Sequence, residues 1–193
     1  DLMERTADAL RYARPAAVDL GKQYSRPFFE HLTRFFPGDQ GKVVDTYMDL
    51  YQAAVWQENR LYSGVLELLR QLKTDGYRTG ILSDKRQVFG APELEFSGLG
   101  SLVDQALFFS DGMAPKPDPT GLQELMRSFG VAPGRCLFVG DSYRDIECAR
   151  RAGVRSGAAL WASVEPERVL ALEPEFRWKR VEDVSLALKL GRD

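Results

Sequence analysis

From about residue 60 onward, short apolar runs alternate with amphipathic stretches that stop on a glycine. That alternation constrains the fold more than any other feature of the chain. "SGVLELLRQLKTDG" (63–76), "PTGLQELMRSFG" (119–130) and "SYRDIECARRAG" (142–153) carry apolar residues at helical spacing and end on Gly76, Gly130 and Gly153. Glycine is the usual residue just past a helix end, because it adopts the left-handed conformation without strain. Between these helices lie "YRTGILS" (77–83), "QALFF" (105–109), "RCLFVG" (135–140) and "RSGAALWA" (155–162), which read as strands. "EPERVLALE" (165–173) reads as a short helix, "FRWKRV" (176–181) as an edge strand and "VEDVSLALKL" (181–190) as a closing helix. Strands with nearly continuous apolar character are buried on both faces. Alternating with helices, they predict a Rossmann-like parallel α/β sheet flanked by helices.

Before residue 60 the pattern is helical. "LMERTADALRYA" (2–13) reads as one helix. Phe28, Phe29, Leu32, Phe35 and Phe36 mark a second, and Val43, Val44, Tyr47, Leu50, Tyr51, Ala54 and Val55 a third, with "PGDQG" (37–41) as the turn between them. The expected organisation is a small helical subdomain over 1–59 and an α/β core over 60–193.

The 193 residues are 44% hydrophobic and 28% charged, the balance of a soluble globular protein. No apolar run approaches the ~20 residues of a membrane span, and acids and arginines interrupt "DLMERTADALRYARP" too often for a signal peptide. With a net charge of −2 there is no basic footprint for nucleic acid, and "RWKR" (177–180) and "ARRAGVR" (149–155) read as solvated faces. Cys136 and Cys148 form no CxxC motif and read as two reduced thiols of a cytoplasmic protein.

Ligands of an open parallel sheet bind beyond the carboxyl ends of its strands. Ser83, Asp84 and Lys85 follow "GIL"; "SDGMAPKPDP", containing Lys116, follows "ALFF"; Gly140, Asp141 and Ser142 follow "CLFV", with Asp145 one helical turn on. That edge gathers a hydroxyl, a lysine, two acids and the free N–H groups of helix N-termini, which favour anions. A lysine adds a point charge for phosphate. Carboxylates beside an anion site suit Mg²⁺, which takes hard oxygen ligands and shares them with phosphate.

"ILSDK", "APKPDP" and "FVGDSYRDIECARRAGV" resemble the second, third and fourth motifs of the haloacid dehalogenase superfamily, closest to its phosphoglycolate phosphatase-like branch. The resemblance runs in order from about residue 60 to 190, and the helices before residue 60 resemble that branch's helical cap. It implies a Mg²⁺-dependent phosphatase that acts on a small phosphorylated metabolite, as a monomer or homodimer with no nucleic-acid or membrane partner. Ser83 would hydrogen-bond the transferring phosphoryl group, with Asp84 beside it as a further candidate at the phosphate site. Lys116 would neutralise phosphate and nucleophile. Asp141 would bind Mg²⁺, and Asp145 would hold either the metal's water shell or the lysine. Gly140-Asp141 argues against a metal-free dehalogenase, where the resemblance calls for serine or asparagine. A sugar-phosphate mutase shares these motifs.

The superfamily's first motif, Asp-x-Asp-Gly-Thr after an apolar strand, supplies its aspartate nucleophile. This sequence lacks it: Met3 stands where the second aspartate belongs, Thr6 is out of step, and no strand precedes Asp1. The resemblance places the missing strand centrally in the sheet, so that its loss leaves unpaired strand edges in the core. Two explanations compete. Either the nucleophile lies upstream of a truncated phosphatase, or the chain is a catalytically inactive binding or regulatory relative. Substrate choice is expected in the cap, where "DLGKQYSRPFF" (19–29) brings Lys22, Tyr24, Ser25 and Arg26 as candidate substrate contacts. His31 reads as a surface or boundary residue. Trp56, Trp161 and Trp178 read as packing residues, and Asp111 as a weaker candidate for the site.

Overall fold

A computed structural model of the protein describes residues 2–16, 32, 35–58, 60–110 and 113–190. The chain divides into two compact units, Asp1–Arg60 and Leu61–Asp193.

In the first unit, helix α1 (Leu2–Leu10) packs with helix α2 (Gln40–Glu58). Met3 and Ala7 from α1 meet Val43 from α2, together with Leu32 and Phe36, in one apolar cluster. Thr6 is buried there without penalty because its hydroxyl donates to the Leu2 carbonyl at 2.7 Å. The Tyr12 hydroxyl donates to the Pro37 carbonyl at 2.6 Å and closes the turn before α2.

The second unit is α/β. Its elements in order are α3 (Val65–Thr74), β1 (Gly80–Arg86), α4 (Gln87–Phe96), β2 (Gln105–Phe109), α5 (Thr120–Phe129), β3 (Leu137–Gly140), α6 (Tyr143–Ala152), β4 (Arg155–Ala159), α7 (Pro166–Leu170), β5 (Phe176–Trp178) and α8 (Glu182–Leu190). Gly130 and Gly153 close α5 and α6 with φ of 64° and 69°, and Gly76, at φ 79°, follows α3. Among the described residues every ladder is parallel. Leu122 and Met126 of α5 pack on Cys148, Ala149 and Ala152 of α6, with Leu82 and Phe138 against them from the strands.

Three features depart from the sequence reading. First, β1 starts three residues later than expected and runs on through Arg86, because its register with β2 shifts between Ser83 and Arg86. A local irregularity of this kind re-aims side chains at a strand end. Second, "QVFGAPELEF" forms α4, a helix that the sequence reading did not anticipate, since Gly90 and Pro92 break its apparent pattern. Gly90 is required by packing: a Cβ there would collide with the Phe108 ring.

Third, the described strands form two sheets rather than one, with the unpaired edges that the lack of the first-motif strand implied. Among the described residues β1 pairs with β2 alone, and β3, β4 and β5 make a second sheet with β4 in the middle. β1 and β3 each keep one unpaired edge, and both line a cavity of about 880 Å³. Apolar side chains of α3, α5 and α8, including Leu68, Leu125 and Val184, line it as well.

At the far side, Trp178 is buried, its ring stacked on Phe176 at 5.0 Å. Trp161 lines the cavity, whereas the Trp56 side chain lies outside the described residues. Gly157 of β4 abuts the Trp178 ring so closely that a Cβ would overlap it. Gly157→Ala is expected to cost about 1–3 kcal/mol through overpacking, read as a lower urea midpoint at constant m-value. An unchanged midpoint would show that the ring moves aside freely.

Candidate active site

The β3–α6 junction is built by Asp145. Ser142 precedes the helix, and Asp145 Oδ2 accepts hydrogen bonds from the Ser142 N–H (3.0 Å) and the Ser142 hydroxyl (2.7 Å). These bonds satisfy an amide at the helix start and place a carboxylate in its first turn, where the helix dipole favours negative charge. Gly140 ends β3 because a Cβ at that position would run into the Asp145 side chain.

The other oxygen of Asp145 is taken by Lys116. Its Nζ donates to Oδ1 at 2.6 Å, and the two side chains are only 15% and 5% exposed. Burial alone raises the Asp145 pKa, but the lysine charge and the bonds from Lys116 and Ser142 outweigh it, so its carboxyl stays below the ordinary range. Asp141 goes the other way. Burial, followed by repulsion from Asp145, raises its pKa, and Lys116 does not compensate. Asp141 is thus a carboxylate short of positive charge that lines the same cavity. Ser83, Lys116, Asp141 and Asp145 all line that cavity. The Ser83 hydroxyl oxygen accepts from the Lys85 N–H at 3.1 Å, which leaves its proton free to be donated.

Asp84 is turned elsewhere. One of its oxygens accepts the Lys116 N–H at 3.0 Å, and the other pairs with Arg144 at 2.5 Å. Arg144 Nε donates to the Lys116 carbonyl at 2.7 Å. Sequence reasoning overlooked Arg144, although one signal was available. A cation in the second helical position of α6 opposes the helix dipole unless it has an anionic partner. Lys22, Arg26, His31 and Asp111 lie outside the described residues. Cys148 is fully buried and its thiol is pushed up to about 11, chiefly by burial, so it is no nucleophile at neutral pH.

The sequence profile of the haloacid dehalogenase-like hydrolases matches residues 3–159. The chain belongs to that family. Over 191 residues it is 29% identical to the phosphoglycolate phosphatase of Shigella boydii, an alignment covering 98% of this chain and 73% of that protein. It is 26% identical over 153 residues to the pyrophosphatase PpaX of Bacillus velezensis, covering 77% of this chain and 71% of the relative. Against the PpaX of Listeria monocytogenes the aligned part is 57% of the relative's length. Among solved structures, a predicted phosphoglycolate phosphatase from Haemophilus somnus superposes with a TM-score of 0.83 at 21% identity, covering 99% of this chain and 89% of the other. This last likeness is one of fold. No helix among the described residues of this haloacid dehalogenase-like chain is long and apolar enough to cross a membrane.

The burial of the Lys116–Asp145 pair has a measurable consequence. Lys116→Met strands a buried carboxylate and is expected to cost about 3 kcal/mol, part of which Lys116→Met/Asp145→Asn recovers. The Asp145 pKa is lowered from 3.8, so its contribution to stability is complete above that value. It is lost as the pH falls through the lower folded value. Denaturation of Asp145→Asn against wild type between pH 7 and 2 is expected to show a flatter acid limb. Parallel acid limbs would remove the pair from the account.

Proposed function

We propose that this chain carries most of a Mg²⁺-dependent phosphatase for a small phosphorylated metabolite. The reading is supported above all by the convergence of Ser83, the buried Lys116–Asp145 pair and Asp141 on one cavity where β1 and β3 end. Lys116 sets its ammonium against the phosphate and the attacking carboxylate, and Ser83 donates its hydroxyl proton to a phosphoryl oxygen. Asp145 keeps both oxygens on Lys116 and Ser142 and so orients the lysine. In this mechanism an aspartate outside these 193 residues attacks phosphorus in line. The ester P–O bond breaks, the leaving oxygen takes up a proton, and water then cleaves the acyl-phosphate to regenerate the carboxylate and release phosphate.

The residues present fit magnesium in part. Asp141, raised by burial and by Asp145, offers a hard oxygen whose repulsion a divalent cation would relieve. Among the described residues no three His, Cys, Asp or Glu side chains gather as a ligand set. Further oxygens therefore come from substrate, water or the missing aspartate. Bound there, the ion supplies charge stabilisation of the phosphoryl oxygens. The unpaired edges of β1 and β3 along one cavity support an additional strand as the carrier of that aspartate. The Shigella and Bacillus relatives make phosphoglycolate and pyrophosphate the first substrates to try.

Reading the coding sequence upstream of Asp1 and assaying the full frame tests the proposal. An apolar strand followed by Asp-x-Asp-Gly-Thr, with Mg²⁺-dependent phosphate release, is expected. Asp141→Asn in that protein should lose at least about a hundredfold in kcat. Residues 1–193 alone are expected to be nearly inactive, and robust turnover by them would overturn the placement of the nucleophile. A start codon with no such motif would favour the inactive binding or regulatory relative.

A further inference from the structure

Lys116 sits in a turn between β2 and α5, outside every strand and helix. No ladder bond fixes its backbone, yet a charge that acts on a phosphoryl group must be placed to within roughly 0.5 Å. Both main-chain polar groups of Lys116 are held by side chains from other elements. Its N–H donates to Asp84 Oδ1 (3.0 Å) at the end of β1, and its carbonyl accepts from Arg144 Nε (2.7 Å) in the first turn of α6. The two side chains, each about a quarter exposed, join through Arg144 Nη2 and Asp84 Oδ2 at 2.5 Å. The result is a closed ring through the end of β1, the first turn of α6 and the lysine loop.

We infer that Asp84 and Arg144 are positioning residues for the Lys116 ammonium and that neither contacts the phosphate. Both oxygens of Asp84 are engaged, and an ionised carboxylate has no donor to offer a phosphate. Arg144 neutralises a carboxylate that would otherwise repel an anion in the neighbouring cavity. Its planar fork satisfies a carbonyl and a carboxylate at once, a geometry that lysine cannot reproduce. The inference rests on the proposed role of Lys116 and revises the expectation that Asp84 faces the phosphate.

The test uses the 193-residue chain labelled with ¹⁵N-lysine. The Lys116 ammonium signal is assigned through Lys116→Met, and its exchange with solvent is measured. The bond to Asp145 slows this exchange in wild type. Asp84→Asn and Arg144→Lys are each expected to speed it about tenfold, the equivalent of one net hydrogen bond. The double variant should be no faster than either single, because the two act as one unit. If Arg144→Lys does not fold, the isosteric Asp84→Asn decides alone. A lower melting temperature with an unchanged Lys116 signal would mean a merely structural pair and would overturn the inference. So would full rescue by lysine at position 144, or additive effects in the double variant. Inorganic phosphate with magnesium is then titrated into wild type. Failure of the Lys116 signal to respond would sink the phosphatase reading, while the resting exchange rates still judge the clamp.

Discussion

The buried bond between Lys116 Nζ and Asp145 Oδ1, 2.6 Å long, is the interaction on which the site depends. A loop that belongs to no sheet is tied by it to the start of α6. Neither charge is tolerable in that position without the other. The same carboxylate starts α6 through Ser142 and requires glycine at the end of β3. One side chain therefore sets where the helix begins, how closely the strand approaches it and where the lysine points. Asp141, left beside this pair, has its own pKa raised by burial and by Asp145.

Much of this was legible in the sequence because it is local. The glycine stops of α5 and α6 carry a backbone requirement in one residue, and "LFVGDS" shows the change from apolar strand to helix start in six. Ser83, Lys116, Asp141 and Asp145 line one cavity because they follow parallel strands whose carboxyl ends meet there, although the strands lie in two sheets. Non-local features were hidden. Nothing local in "QVFGAPELEF" shows that Gly90 lets a helix lie against Phe108. The direction of the Asp84 side chain depends on a register shift in β1 and on Arg144, sixty residues away. The division of the described strands into two sheets is a tertiary feature that no local pattern shows.

The divided sheet gives the family assignment its physical meaning. The proposed phosphoryl transfer would need a nucleophile, a counter-charge and a hydroxyl donor around one phosphoryl group. Under the proposed reading Lys116 and Ser83 would supply the last two, and among the described residues two strand edges along the same cavity are unpaired. The charged cluster lies where those edges end, so a strand entering the cavity would deliver its last residues to Lys116. The helical first unit has its own core around Phe36 and Val43.

A crystal of this chain soaked with tungstate and magnesium tests the central claim most directly. Tungstate mimics phosphate and scatters strongly enough to be located without ambiguity. The account predicts the anion against the Lys116 ammonium and the Ser83 hydroxyl, with the metal ion on Asp141. An anion bound elsewhere, with the Lys116–Asp145 cluster left bare, would contradict it.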